Sequence, residues 1–210
     1  QNEGATVASG LRVKNEHPPV LVIASHNTGK IREFEHVFTP HWRIEPQAAF
    51  GVSEAAETGL TFLENALIKA RHACTETGNA ALADDSGLVV PALGGEPGLH
   101  SARYSGGDNT ANNALLLENM RAFQGADRAA FYVAVLVLLK HADDPTPIIA
   151  EGRWHGHIAE SPKGNGGFGY DPIFIPEGST QHAAELSTEE KNRVSHRAIA
   201  SAQLLVKLRE

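Results

Sequence analysis

The chain has 210 residues, enough for one domain or one domain with two lobes, and 41% of them are hydrophobic, which supports a sizeable core and excludes disorder throughout. A formal net charge of -7 excludes the broad basic surface of a nucleic-acid binder, and no apolar run approaches membrane-spanning length. The single cysteine, Cys74, excludes an internal disulfide and suits a reducing, cytoplasmic compartment, while a polyanionic ligand would need a locally basic pocket, a metal ion, or both.

Residues 1–19 are polar and aperiodic and lack the apolar core of a signal peptide, so a disordered extension without chemical role is expected there. Val20 to Ala24 reads as the first buried strand. Ser25-His26-Asn27-Thr28-Gly29-Lys30 follows, and then Ile31, Phe34 and Phe38 recur at helical spacing up to Thr39-Pro40. A polar, Gly-containing loop between strand and helix gathers free backbone N–H groups, and Lys30 adds positive charge, a combination that binds phosphate. It is not a Walker A loop, because Ala24 stands at the first glycine and Ile31 where Ser or Thr should be. An ordinary connection capped by Thr28 is the competing reading.

Trp42 to Ile44 suggests a second strand, and Gly51 to Gly59 a polar loop carrying Glu54 and Glu57. Thr61 and Glu64 form a capping-box pattern that opens a helix. Its apolar face is expected to hold Leu63, Leu67, Ala70 and Cys74, and Gly78 to end it. Lys69 and Arg71 on this helix read, alone, as a solvated face. The run Ala81-Leu82-Ala83-Asp84-Asp85-Ser86-Gly87-Leu88 reads as a short buried strand that ends in two carboxylates and then turns. At a frayed strand end one or both carboxylates can face a cleft and hold Mg²⁺ beside a phosphate. The alternative is that Asp84 and Asp85 only start a turn.

Gly94 to Gly98 is a loop, and Leu115, Leu116 and Met120 suggest another helix. Arg128 to Lys140 and Ile148 to Ile158 are two long β-rich runs joined by turn residues, a hairpin that would floor a cleft. The turn repeats the dipeptide as Asp143-Asp144, with nothing chemical around it. His155 and His157 share one side of a strand, but no third ligand is suggested nearby, which disfavours zinc. Gly164 to Gly169 satisfies G-x-G-x-x-G, yet Tyr170 to Ile175 follows as a strand entered through proline, so the dinucleotide reading fails. What remains is a glycine loop that brings Phe168, Tyr170 and Asp171 together. A stacking ring beside a carboxylate for base-edge hydrogen bonds suits a purine; a tight turn with aromatics in the core explains the loop equally well. Ser187 and Glu190 form a second capping box, followed by Lys191 and Arg193. Ser195 reads as the N-cap of the last helix, which leaves His196 and Arg197 as donors at its start. No G-x-S-x-G elbow supports a serine hydrolase.

Taken in order, seven segments resemble the inosine triphosphate pyrophosphatase family. They are Ser25–Lys30, Glu57–Phe62 with Glu64–Ala66, Lys69–Arg71, Ala83–Leu88, Pro97–Gly98 with Ser101–Gly106, Gly166–Pro172, and Ser195–Arg197. One departure is Ser25-His26, where many members carry Thr-Gly, which stiffens that loop. The resemblance implies an α/β fold, elongated and two-lobed, with a long central mixed sheet, formed by residues 20–210 as a single domain. It implies a homodimer, Mg²⁺, and release of pyrophosphate from ITP, dITP or XTP. By position, Asp85 would be general base and metal ligand, Glu57 a second metal ligand, and Asp84 a support through water. Ser25, His26, Asn27, Thr28, Gly29, Lys30, Lys69, Ser86 and Lys191 would hold the phosphates. Phe168, Gly169, Tyr170 and Asp171, with His196 and Arg197, would hold the base. The rival readings are a Maf-like pyrophosphatase of other base preference and a non-catalytic nucleotide-binding module.

Overall fold

The computed structural model describes residues 18–39 and 41–209, so the extension expected over residues 1–19 lies, but for Pro18 and Pro19, outside the described residues. The strands are β1 (Val20–Ile23), β2 (Arg43–Pro46), β3 (Ala80–Val89), β4 (Ala129–Leu139), β5 (Ile148–Ile158) and β6 (Phe174–Pro176). Their order is β2-β1-β3-β4-β5-β6. β1 runs parallel to both β2 and β3, and the pairs from β3 to β6 are antiparallel. The expected β4–β5 hairpin is present. Its turn is held by Asp144, which accepts from Lys140 N at 3.0 Å and Thr146 N at 2.9 Å. Asp143-Asp144 therefore organises a turn, whereas β3 passes straight through Asp84-Asp85.

The helices are α1 (Thr28–Phe38), α2 (Phe62–Thr77), α3 (Asn109–Asn119), α4 (Thr188–Val194) and α5 (His196–Lys207). Each start has a side-chain cap. Asn27, not Thr28, caps α1, accepting from Lys30 N; Thr61, Asp108, Ser187 and Ser195 cap the others. α2 covers one sheet face through Ala66, Ala70, Ala73 and Cys74, packed on Ala81, Ala83, Val135 and Val137. The small side chains let the helix lie close to the sheet. The expected face is thus rotated, with Leu63 exposed and Leu67 only partly buried. α1 and α5 cover the other face, with Phe34, Phe38, Ala200 and Leu204 on Leu82, Leu136 and Leu138. Burying one such Leu or Phe contributes about 1.5–3 kcal/mol. α5 lies so close to β5 that a Cβ at Gly152 would sit 2.1 Å from the His196 carbonyl oxygen. A third cluster, with Leu88, Leu116, Trp154, Tyr170, Ile173 and Phe174, forms the core of a second lobe at the far end of the hairpin.

One feature of the sheet differs from the sequence reading and makes the cleft. β1 leaves the sheet after Ile23, whose partner is Leu82, with one last bond from Ala24 N to Leu82 O at 2.9 Å. β3 does not end at the aspartates. It continues to Val89, paired throughout with β4, and Asp84 faces Leu136 while Asp85 faces Val135. Past Ala83 the edge that β1 vacated is open. The run of Asp, Asp, Ser and Gly is polar because this edge lines a cleft, and not because the chain turns.

Candidate active site

Successive side chains on a strand point to opposite faces, and β3 uses that rule to separate its two carboxylates. Asp84, with Leu82 and Ser86, points toward α1 and α5. Asp85, with Ala81 and Ala83, points toward α2. Both faces open at the vacated edge onto a cleft of about 940 Å³ between the lobes.

On the α1/α5 face, Asp84 is buried and its Oδ2 accepts from Arg197 Nε at 2.5 Å, with Lys30 Nζ at 3.6 Å. Arg197 also donates to Glu33 of α1 at 2.7 Å and to Ser86 Oγ at 3.2 Å, and Lys30 donates to Ser86 Oγ at 3.3 Å. Burial alone would push the Asp84 carboxyl up, but Arg197 and Lys30 hold it well below the usual carboxylate range. Burial also pulls the Lys30 ammonium down, which Asp84 only partly offsets. Asp84 is therefore a fixed negative charge with two cations attached, unsuited to taking up a proton.

On the α2 face, Lys69 Nζ lies between two carboxylates, 2.8 Å from Glu57 and 3.2 Å from Asp85 Oδ1, and also donates to the Asp84 carbonyl at 2.8 Å. Burial raises the Asp85 pKa; Lys69 opposes this and Glu57 adds to it, and the balance is upward. Burial disfavours the charged form of Lys69, but Asp85 and Glu57 outweigh it and raise its pKa. Two carboxylates that already converge on one cation have the hard-oxygen donor set that suits Mg²⁺ together with phosphate oxygens. Among the described residues no group of three or more His, Cys, Asp or Glu side chains is placed to hold a metal ion by itself. His155 and His157 are exposed on β5 without such a group.

At the other end of the cleft, Phe168 is 40% exposed on the glycine loop. Gly167 has φ +69°, and a Cβ there would lie 2.0 Å from the Asp171 carboxylate. Lys191 Nζ stands 4.3 Å from the Phe168 ring centre. His196 is buried and stacks on Tyr132 at 4.8 Å between ring centres. Burial, then the neighbouring Arg197 charge, holds its pKa well below 6.5, so the ring is neutral, and its Nδ1 has no partner among the described residues.

The structure brings Ser25, Asn27, Gly29, Lys30, Lys69, Ser86, Glu57, Phe168, Gly169, Tyr170 and His196 to the cleft wall. Others are placed differently. Asp171 is buried, with Oδ1 accepting from Tyr132 Oη at 3.1 Å and Oδ2 from Phe168 N at 2.9 Å and Lys191 Nζ at 2.5 Å. It fixes the loop and does not line the cleft as a base-edge acceptor would. Lys191 is thereby drawn to the Phe168 end, away from the phosphate end assigned to it. Arg197 is engaged with Asp84, Glu33 and Ser86, and its guanidinium lies 5.7 Å from the Phe168 ring centre. His26 turns away, its Nε2 3.1 Å from Val52 O, and Thr28 is the first residue of α1 behind the Asn27 cap. Asp85 stands behind Lys69 rather than on the open wall. Tyr132 and Gln47 line the cleft and Glu33 supports Arg197 although no motif marked them; Glu33 lies three residues, about one helical turn, beyond Lys30, and the other two only tertiary structure reveals.

Comparisons with known proteins bear on the family and the fold. Residues 21–207 match the Ham1 family. A dITP/XTP pyrophosphatase from Xanthomonas campestris pv. campestris is 55% identical over 191 residues, spanning 90% of this chain and 96% of that protein. The structure of a HAM1 protein from Coxiella burnetii superposes with a TM-score of 0.86 at 42% identity, covering 90% of this chain and 98% of the other. A nucleoside-triphosphatase / dITP/XTP pyrophosphatase from Mycobacterium abscessus gives 0.74 at 43% identity, with coverage of 90% and 98%.

Proposed function

Because the chain belongs to the Ham1 family, we propose that it hydrolyses dITP and XTP, with their ribo- and deoxyribo-counterparts, to the monophosphate and pyrophosphate. The observation that carries the reading is the shared cleft itself: two buried-stem lysines, Lys30 and Lys69, beside the carboxylates at one end, and the exposed Phe168 ring with His196 at the other. This is the charge pattern of a nucleoside triphosphate, and it sits in a chain whose net charge is -7. The family match and the carboxylate pair argue against the Maf-like and binding-module readings.

Water must attack the α-phosphorus while pyrophosphate leaves. Asp85 is the better base of the pair, because burial raises its pKa while Arg197 and Lys30 lower that of Asp84. Glu57 and Asp85 would hold Mg²⁺, whose chemistry is to neutralise phosphate charge. Lys30 and Lys69 stabilise the departing polyanion, and Ser25, Asn27 and Gly29 bound the space for it. Asp171 and Lys191 hold the Phe168 platform on which a purine stacks. Arg197 positions Asp84 and Ser86. In this reading residues 20–210 act as one two-lobed unit, as a homodimer, in the cytoplasm; no helix among the described residues is long and apolar enough to cross a membrane.

The test is pyrophosphate release from a panel of nucleoside triphosphates with and without Mg²⁺. Release from dITP and XTP, abolished by excess chelator, is expected. Release of orthophosphate instead, or undiminished activity in chelator, would overturn the assignment.

A further inference from the structure

Gln47 begins the turn that leaves β2, beside the Ala24–Ser25 exit from β1, since Ile23 pairs with Pro46. The residue is 2% exposed and lines the cleft. Its main-chain carbonyl accepts from Val52 N at 3.2 Å, but its carboxamide meets no hydrogen-bond partner among the described residues. The partnerless side-chain atoms sealed from solvent are Asp84 Oδ1, Asn113 Oδ1 and His196 Nδ1. The Gln47 amide is not one of them, and the residue lines the cleft. A nearly buried amide kept without a protein partner is disfavoured unless something else meets it.

Its place in the sheet says what that is. The site groups follow strand order: Gln47 after β2, the Ser25–Lys30 loop after β1, Asp84 to Ser86 on β3, and Tyr132 on β4 beneath His196. Neighbouring strands lie ~4.8 Å apart, so Gln47 stands on the order of 14 Å across the sheet from the strand of Tyr132. A nucleotide with its base at the Tyr132 and Phe168 end, laid across the sheet, has its phosphate tail over β1 and β2.

We propose that the Gln47 carboxamide is a phosphate-binding group that donates to the terminal oxygens of the triphosphate, and so to the pyrophosphate leaving group. The proposal rests on the activity given above. A neutral donor binds these oxygens without adding a charge beside the crowded Lys30 and Arg197.

Gln47→Met keeps the length and removes the amide; Gln47→Glu keeps the shape and repels phosphate. With dITP as substrate, inhibition by inorganic pyrophosphate and by deoxyinosine monophosphate is measured for both variants. The inhibition constant for pyrophosphate should rise about tenfold or more, further in the Glu variant, because one hydrogen bond to a charged group is lost. That for the monophosphate should stay within about twofold, which also reports that the fold is intact. Unchanged pyrophosphate inhibition would overturn the proposal. So would an equal weakening of both products, which marks a structural role, or weakening of the monophosphate alone, which places Gln47 at the nucleoside. If wild type releases no pyrophosphate from dITP, the activity itself is wrong; pyrophosphate binding to wild type and variants by calorimetry still decides for or against Gln47.

Discussion

The two faces of β3 treat adjacent, identical carboxyl groups in opposite ways. On the α1/α5 face Asp84 is buried against Arg197 and Lys30 and is locked in the charged form. On the α2 face Asp85 shares one lysine with Glu57, and its proton affinity is raised. The difference teaches that residue type does not assign a role here. The strand alternates its side chains, and three helices carry different partners to the two faces: Lys30 from α1 and Arg197 from α5 to Asp84, Lys69 from α2 to Asp85.

The largest effect that would sharpen this contrast comes from Asp85→Asn. Removing the base while keeping its shape should lower turnover by ~10²–10⁴-fold with little change in melting temperature. Near-normal turnover would move the base to Glu57. Asp84→Asn should do the reverse and strike stability first. It leaves Lys30 without its ion-pair partner and Arg197 with Glu33 alone, and breaking a buried pair in this way costs about 3–5 kcal/mol, a large part of a typical domain's stability. Denaturant unfolding of the two variants side by side measures this; equal destabilisation would erase the distinction between the faces.

How far this contrast was legible in the sequence depends on which physics each residue reports. Apolar runs placed β1, β4 and β5, and the pairs Thr61/Glu64 and Ser187/Glu190 placed two helix starts, because burial and capping are local. The ordered motifs identified the family and most of the cleft wall. The run from Asp84 to Gly87 misled, since periodicity takes the loss of apolar residues for the end of a strand, when only the neighbour β1 had ended. The ion pairs Asp171–Lys191 and Asp84–Arg197 were not legible, because packing makes them between residues as far apart as Asp84 and Arg197. Gln47 sits in no motif, and only the meeting of β2 with β1 brings it to the cleft.

A smaller effect is expected from Glu33→Gln. Glu33 supports Arg197 from α1, but its side chain is 24% exposed and Arg197 keeps Asp84, so a loss of about 1 kcal/mol or less should appear in the denaturant midpoint. A loss as large as that of Asp84→Asn would make Glu33 the true anchor of the locked face. The smallest effect is a pH dependence. His196 stays neutral in the fold, with a pKa below the 6.5 of an exposed histidine. The unfolded chain therefore binds more protons below pH 6.5, and the stability present above that value is lost as the pH falls toward the folded pKa. Urea midpoints measured at neutral and mildly acidic pH should fall less in His196→Gln than in wild type; equal falls would mean that His196 is protonated in the fold.

The opposed environments of the two aspartates can be read directly by following their side-chain carboxyl NMR signals as the protein is acidified in the absence of metal. Asp85 should take up its proton first, at higher pH than an ordinary aspartate, while Asp84 remains charged at pH values where free carboxylates are protonated. Protonation of Asp84 before Asp85 would contradict the account.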